Sequence, residues 1–232
     1  MLNLALSAIK STLEGIEVDT NPLIEKYGGL VFPITIAQEV GRTDGGESVL
    51  KEKTFPVSCG VTFADCVNNR RYQELVPNSK YRSIAYWEQT GDATMNTAAS
   101  KNSHKGGLLV YDIPARLVFW GDIRKINVND NGSDDCTVVA PVSLVIQKAL
   151  NRRGGFPVTG YENARVDLSF LGQERKDVGS VFGKYTYGKE VSNFMLYPYD
   201  FFSLRYNVRL WISRSCLDVF TMEVVAEPCP KQ

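Results

Sequence analysis

Residues 200–214 read D-F-F-S-L-R-Y-N-V-R-L-W-I-S-R, and this stretch decides the fold. Apolar and polar side chains alternate along it, which is the period of a half-buried antiparallel strand. At roughly 3.3 Å per residue the strand would be about 40 Å long. Its apolar face needs a helix or a second sheet to cover it, and its polar face carries Arg205, Arg209 and Trp211.

The composition is typical of a globular protein. The chain has 232 residues, of which 44% are apolar and 22% charged, enough for one domain with a sizeable core. Lys plus Arg equals Asp plus Glu at 26 each, so nucleic-acid binding by bulk electrostatics is not expected. Zero net charge also gives little self-repulsion, which is compatible with oligomerisation. The sequence predicts neither a signal peptide nor a membrane span.

Two amphipathic segments predict helices that cover the sheet. Residues 2–16 place apolar side chains at three- and four-residue steps, as on one face of a helix. Residues 142–153 do the same, with Pro141 near the start and Gly154-Gly155 just past the end, as helix boundaries favour. Shorter helical segments are predicted over 22–27, 62–71 and 180–185.

Strand patterns fill most of the remaining chain. Pro33 and Pro114 each interrupt a strand pattern, which predicts an edge strand, a bulge or a bend. The first two strands could form a hairpin. The predicted strands are 30–40, 48–57, 81–88, 108–122, 164–171, 200–214 and 216–225. The order of elements predicts a single α+β domain, 1–232, with a mainly antiparallel sheet packed by an N-terminal helix and a second central helix.

Residues 89–107 form a long polar segment between two strand patterns. The segment contains Met95 but no other large apolar residue, so it cannot bury enough surface to fold alone. Connections of this length are usually surface loops, binding loops or arms. Both a mobile surface loop and an arm that binds a neighbour remain open.

Catalytic and metal-binding signatures are missing from the sequence. His104 is the one histidine, and no nucleophile elbow, phosphate-binding loop or dinucleotide fingerprint accompanies it. The five cysteines include no C-x-x-C pair, which favours reduced thiols over zinc ligands or a disulfide framework. The D-N-G-S-D-D run at 130–135 lacks the spacing of a calcium loop. We therefore expect no enzyme activity, cofactor or metal.

Arginine and aromatic residues are interleaved in two of the strand patterns. Such a face can stack the bases of single strands, but the same residue types are enriched at the centres of protein interfaces. The neutral net charge favours the protein interface. The candidate interface residues are Trp87, Met95, His104, Arg205, Arg209 and Trp211.

Two other functions remain open. A small hydrolase would need Asp and Glu side chains that converge in a cleft with shifted pKa values. A carbohydrate- or peptide-binding β module would use Trp87, Trp120 and Trp211. No spacing in the sequence singles out a catalytic carboxylate pair.

The chain resembles neck proteins of tailed bacteriophages, the tail-terminator, tail-completion and head–tail connector subunits. The resemblance lies in the order of helices, strands and loops. One stretch of the sequence, residues 54–88, is also similar to neck ring proteins of crAss-like phages. It runs from T-F-P-V-S-C-G-V-T-F-A-D-C at 54–66 through L-V-P-N-S-K-Y-R-S-I-A-Y-W-E at 75–88.

The resemblance implies a structural virion protein, made and assembled in the host cytoplasm. It would form a homo-oligomeric ring, six- or twelve-fold, around a channel through which DNA passes without specific binding. Other neck, portal or tail proteins would adjoin it. The 89–107 excursion would be an arm that orders on a neighbouring subunit, and strand addition between subunits would cap open sheet edges.

Overall fold

A mixed, mainly antiparallel sheet of eight strands forms the centre of an α+β fold, as the alternation patterns predict. The strands are β3 (Lys26–Arg42), β4 (Ser48–Ser58), β5 (Ser83–Gln89), β6 (Thr94–Met95), β7 (Leu108–Asp122), β8 (Phe156–Pro157), β9 (Arg165–Arg175) and β10 (Tyr199–Ser213). Their order is β4-β3-β5-β7-β10-β9-β8, and β6 also pairs with β7. Among the strands that the structure describes, only β3 and β5 run parallel. β1 (Glu17–Val18) and β2 (Asn21–Pro22) pair separately.

The computed structural model describes nine ranges of the chain. Several predictions lie outside them: the helix over 62–71 except its last residue, the strand over 216–225, the run at 130–135, and His104. The described residues are 1–18, 21–42, 48–60, 71–97, 107–126, 139–161, 163–175, 177–186 and 189–213.

β10 has the two faces that its alternation predicts. Its apolar residues from Phe202 to Ile212 are all buried on one face. On the other face Arg205 is exposed and Trp211 is half-buried, whereas Ser203 is completely buried. The second face is therefore covered at one end of the strand and open at the other.

Two helices cover the main core face of the sheet. α1 (Leu2–Glu14) buries Leu6, Ile9 and Leu13 against it, which confirms the predicted N-terminal helix. The short α2 (Ile123–Ile126) follows β7 directly. α3 (Val139–Leu150) is the predicted central helix, shifted three residues towards the N-terminus. Pro141 consequently lies in the first turn of α3, where its missing N–H costs no helical hydrogen bond.

Short segments cover one end of the second face. The covering segments are α4 (Val178–Phe182) and a 3₁₀ turn at Asn193–Met195. A second apolar cluster lies beneath them, with Tyr86, Trp120, Phe182 and Phe201 among its buried members. Tyr72 of a 3₁₀ turn at Arg71–Gln73 and Val191 of α5 (Lys189–Ser192) pack instead on a small cluster with Phe55 and Val57 of β4. The helix predicted around 180–185 corresponds to α4, which begins and ends earlier.

The helical turn predicted over 22–27 is wrong. β3 begins at Lys26, and Gly28-Gly29 form an irregularity in its pairing with β5 rather than the end of a turn. Gly29 has φ +63°, a conformation that glycine adopts without steric cost. A Cβ on Gly28 would lie 2.5 Å from a methyl carbon of Leu75.

Pro114 lies in a central strand, which corrects the expectation of an edge. β7 pairs with β10 on one side and with β5 and β6 on the other. The Pro114 carbonyl accepts a hydrogen bond from the Thr90 N–H at 3.0 Å, so its backbone faces the break between β5 and β6. The missing proline N–H therefore costs no ladder hydrogen bond.

β3 and β4 form the predicted hairpin. Their pairing runs from Val31 opposite Ser58 to Arg42 opposite Ser48. β5 accompanies β3 only as far as Val31, so the hairpin continues as a two-stranded ribbon. We call residues 32–42 and 48–57 the hairpin arm.

Candidate interaction surface

The open end of the second face brings together three of the predicted interface residues. Arg205, Arg209 and Trp211 follow one another on β10, with Asn207 between them. Asp112 of β7 and Asp167 of β9 lie directly opposite Arg209 in the two flanking strands. We call these residues, with Asn96, Arg165 and Glu174, the Arg–Trp face.

Asp112 is the centre of a hydrogen-bond network on the Arg–Trp face. Arg209 donates from Nε to Oδ1 at 2.8 Å and from Nη2 to Oδ2 at 3.2 Å. Asn207 and Asn96 donate to the same carboxylate at 3.1 and 2.8 Å. The Arg209 hydrogen bond, reinforced by the two amides, holds the pKa of Asp112 below its ordinary value despite desolvation. Asp112 is therefore an anionic acceptor with all its donors in place.

Trp211 is fixed by a second network. Its indole N–H donates to Oδ2 of Asp167 at 2.5 Å. The guanidinium of Arg165 lies 4.6 Å from the centre of the indole ring, within the range of a cation–π contact. The same guanidinium is 3.5 Å from Asp167. The half-buried indole is thus held in one orientation by both of its chemical features.

The charges of the Arg–Trp face balance. Arg205 lies 3.8 Å from Oε1 of Glu174, and the other two arginines pair with Asp112 and Asp167. Three cations therefore meet three anions. A groove that follows a phosphate backbone presents unneutralised cations, so this face suits a protein surface better than nucleic acid.

Two other predicted interface residues, Met95 and Trp87, lie elsewhere. Met95 is exposed and pairs with Tyr111, which packs against the main core. Met95 therefore lies on the other face of the sheet from Arg209. Trp87 is 0% exposed and packs against Tyr206 with ring centres 5.7 Å apart. Trp87 is consequently a core residue, and its assignment to a surface was wrong.

The carbohydrate-binding alternative loses two of its three tryptophans. Trp120 is buried like Trp87, stacks on Tyr199 and donates its N–H to the Phe194 carbonyl at 2.7 Å. A sugar platform needs exposed aromatic faces. Among the three, Trp211 alone reaches the surface, and Arg165 already occupies a face of its ring.

A buried ionic cluster lies beside the Arg–Trp face, and we call it the Arg116 clamp. Arg116 of β7 donates to Oε2 of Glu88 at 2.7 Å and to the carbonyls of Ser180 and Val181 at 2.6 and 3.0 Å. It therefore joins β5 and β7 to the backbone of α4. Tyr185 donates to the other Glu88 oxygen at 2.6 Å.

Glu174 extends the clamp towards β10 and the Arg–Trp face. Ser203 donates to its Oε2 at 2.8 Å, and Arg116 lies 3.5 Å from the same oxygen. Glu88 and Glu174 share the cation of Arg116, at 2.7 and 3.5 Å. Both carboxylates accept hydrogen bonds from fixed donors, and Glu88 is buried, so the pair suits bracing rather than acid–base catalysis in an accessible cleft.

Sequence reasoning did not identify Asp112, Asp167, Arg116 or Glu88. Each is a charged residue within a strand pattern, which is a signal for a buried or paired charge. Their partners lie as far as 97 positions away in sequence, so the signal names no pair until the strand register is known.

The described residues contain no group of three or more His, Cys, Asp or Glu side chains arranged to hold a metal ion. No helix in those ranges has the length and apolar character needed to cross a bilayer. No protein-family model matches the chain, and neither a curated protein nor a solved structure shows significant similarity to it.

Proposed function

We propose that the chain is a structural subunit that forms a homo-oligomeric ring in a bacteriophage neck, as tail terminator or head–tail connector. Its partners are copies of itself, in six- or twelve-fold arrangement, and adjoining neck, portal or tail proteins. DNA passes through the channel without specific contacts. The subunit works by contact, without a catalytic step.

The hairpin arm is the observation that carries this proposal. Beyond Val31 neither strand of the arm pairs with a third strand in the described part of the chain, and Thr186 bonds to the backbone of Thr54 near the base of the arm. It exposes Phe32 at 42% and Leu50 at 62%. A two-stranded ribbon gains little stability alone, and a long open edge is a site of strand addition. Such an arm suits a subunit that docks on a neighbour.

The Arg–Trp face supports the same function. Its aromatic and arginine side chains are held in place before any partner binds, so little side-chain entropy is lost on docking. Tyr, Trp and Arg are the residues that dominate interface energies. Its balanced charge agrees with the zero net charge of the whole chain.

The test is the assembly state of the purified protein. Mass photometry and light scattering over a range of concentrations should give a discrete multimer, and negative-stain electron microscopy should show rings with a central opening. A strict monomer at high concentration, also in the presence of co-expressed neighbouring gene products, would contradict the proposal. Portal and tail genes beside this one are expected.

A matched pair of variants tests the arm. Leu50 on the arm and Leu144 on α3 are exposed to nearly the same extent, 62% and 61%. We expect Leu50→Asp to reduce assembly and Leu144→Asp to leave it unchanged, with equal melting temperatures. Loss of assembly in both variants, or in neither, would separate assembly from the arm.

A further inference from the structure

Two prolines define which backbone groups of the hairpin arm face outward. Pro33 lies directly opposite Pro56, and neither has an N–H. In antiparallel pairs, opposed residues alternate between those that exchange hydrogen bonds and those that do not. The two prolines form a pair of the second kind, so the backbone groups of both residues point away from the partner strand.

The next pair along the arm bears out this assignment. Thr35 lies opposite Thr54 two residues further on. Both backbone groups of Thr54 bond to Thr186, which lies outside the hairpin. The Thr54 carbonyl accepts from the Thr186 N–H at 3.0 Å, and the Thr54 N–H donates to the Thr186 hydroxyl at 2.6 Å. The Thr35 and Thr54 hydroxyls are 2.9 Å apart, as expected for the closer, non-bonded pair.

The edge of β3 that faces away from β4 therefore presents a row of unpaired backbone N–H and carbonyl groups. Ala37 lies opposite Glu52 in the same register, so Thr35 and Ala37 each present an N–H and a carbonyl on the side away from β4. β5 ends its pairing at Val31. No strand within the described ranges pairs with this edge.

A second open edge lies at the opposite end of the sheet, on β9. The Ala164 carbonyl accepts from the Val158 N–H at 3.0 Å, so residue 164 and every second residue after it face β8. β8 pairs only with Arg165 and Val166. Among the described strands nothing continues along Leu168 and Phe170, whose outward groups repeat at the same two-residue spacing.

Both edges also carry exposed apolar side chains. The hairpin arm has Phe32 and Leu50, and the end of β9 has Phe170 and Leu171, which are 47% and 60% exposed. Exposed apolar residues beside unpaired backbone groups are features that soluble proteins normally avoid at a sheet edge. Each edge is the free continuation of a strand beyond a shorter neighbour, β5 beside β3 and β8 beside β9.

We propose that Thr35 and Ala37 of one copy pair as a β ladder with Leu168 and Phe170 of a second copy. The inference rests on the proposed ring function and names the two surfaces that meet. Because the two edges differ, the contact is head-to-tail, and repeating it produces a closed ring when the rotation between subunits closes. Pairing of a β3 edge with another β3 edge would instead stop at a dimer.

Proline substitution tests the β3 edge. Ala37→Pro removes an N–H that points away from β4 and leaves the hydrogen bonds of the hairpin intact. Glu52→Pro is the matched control, because Glu52 lies opposite Ala37 on β4 and its N–H points away from β3. We expect Ala37→Pro to raise the concentration for half-assembly by about tenfold or more and Glu52→Pro to leave it near the wild-type value. Circular dichroism and thermal melting establish that both fold.

The β9 edge is tested with Leu168→Pro, and Leu168→Ala is the control because it keeps the N–H. We expect Leu168→Pro to impair assembly as Ala37→Pro does. A mixture of the two proline variants should form dimers, because one intact edge of each kind remains. Normal assembly of Leu168→Pro would overturn the head-to-tail pairing.

Hydrogen exchange of the wild type gives a readout that needs no variant. The amides of Thr35, Ala37, Leu168 and Phe170 should become protected on assembly. Assembly without this protection, or with unimpaired proline variants, would overturn the edge pairing and leave the ring function standing. A wild type that never assembles would overturn both.

Discussion

The two ends of the second face of β10 use similar chemistry for different purposes. At one end Ser203 is buried under α4 with the Arg116 clamp beside it. At the other end Arg209 and Trp211 remain partly exposed. The difference comes from the neighbouring segment, since residues 178–185 cross one end only. An alternating strand therefore defines two faces, and other parts of the chain decide how much of each is open.

Two ion pairs express this difference in energetic terms. Arg116 Nε lies 2.7 Å from Glu88 and Arg209 Nε lies 2.8 Å from Asp112. The side chains are 9% and 3% exposed in the first pair but 37% and 19% in the second. Water can replace a lost partner in the second pair but not in the first, so equal distances should give unequal costs.

Breaking the buried pair should have the largest effect. Arg116→Met removes the nearest cation from the buried Glu88 carboxylate, leaves only the more distant and half-exposed Lys184 at 3.6 Å, and releases the backbone of α4. We expect a loss of roughly 3–5 kcal/mol in the free energy of unfolding, measured by urea denaturation. The covering segment should also become more accessible to protease.

A double variant shows whether the uncompensated charge causes that loss. Arg116→Met with Glu88→Gln removes the charge as well as its partner and should recover part of the stability. If the single variant costs less than about 1 kcal/mol, the pair behaves like an exposed one, and the contrast between the two ends fails.

Tyr185 tests a single hydrogen bond of the clamp. Tyr185→Phe removes the donor to Glu88 Oε1, which is 2.6 Å away, and keeps the ring in the second cluster. A hydrogen bond to a charged group contributes roughly 1.5–3 kcal/mol, and urea denaturation should show a loss in this range. Tyr197→Phe, at an exposed tyrosine, is the control and should change nothing.

Asp112 gives the open end a pH dependence. Its folded pKa is lowered by Arg209 first and then by the amides, so its contribution is fully present above the unfolded value of about 3.9 and is lost as the pH falls through the lower folded value. Asp112→Asn should cost about 1 kcal/mol at neutral pH because the pair is partly exposed.

The difference between wild type and Asp112→Asn should shrink below about pH 4. Urea titrations at several pH values measure it. The exposed Asp92→Asn variant should follow the wild type throughout. A difference that stays constant down to the lowest pH would mean that the carboxylate charge contributes nothing to this network.

The strand and helix patterns were readable from sequence where one face is buried. β10 and α1 repeat their apolar side chains at the period of the element, so both elements and their buried faces could be predicted. β5 is buried on both faces, so nothing in S-I-A-Y-W-E distinguishes core from surface and Trp87 was misplaced. Pro114 was misread because a break in the neighbouring strand, invisible locally, accommodates it.

Pairings between strands could not be derived for a related reason. Asp112 and Arg209 belong to different strands, and only their register makes them partners. A shift by one residue would place one of them on the opposite face. Local patterns supply the faces, whereas the network of the Arg–Trp face depends on non-local pairing.

Trp211 should have the smallest effect on stability and the most informative one on assembly. Trp211→Phe removes the donor to Asp167 and keeps a ring for Arg165, whereas Trp211→Ala removes both contacts. At a partly exposed site each contact is worth about 0.5–1 kcal/mol, so both variants should unfold near the wild-type urea concentration.

Truncating a central interface tryptophan costs about 2 kcal/mol or more in binding, so assembly of Trp211→Ala should weaken by far more than its stability. An assembly loss no larger than the stability loss would make the open end a solvated surface and leave docking to the hairpin arm.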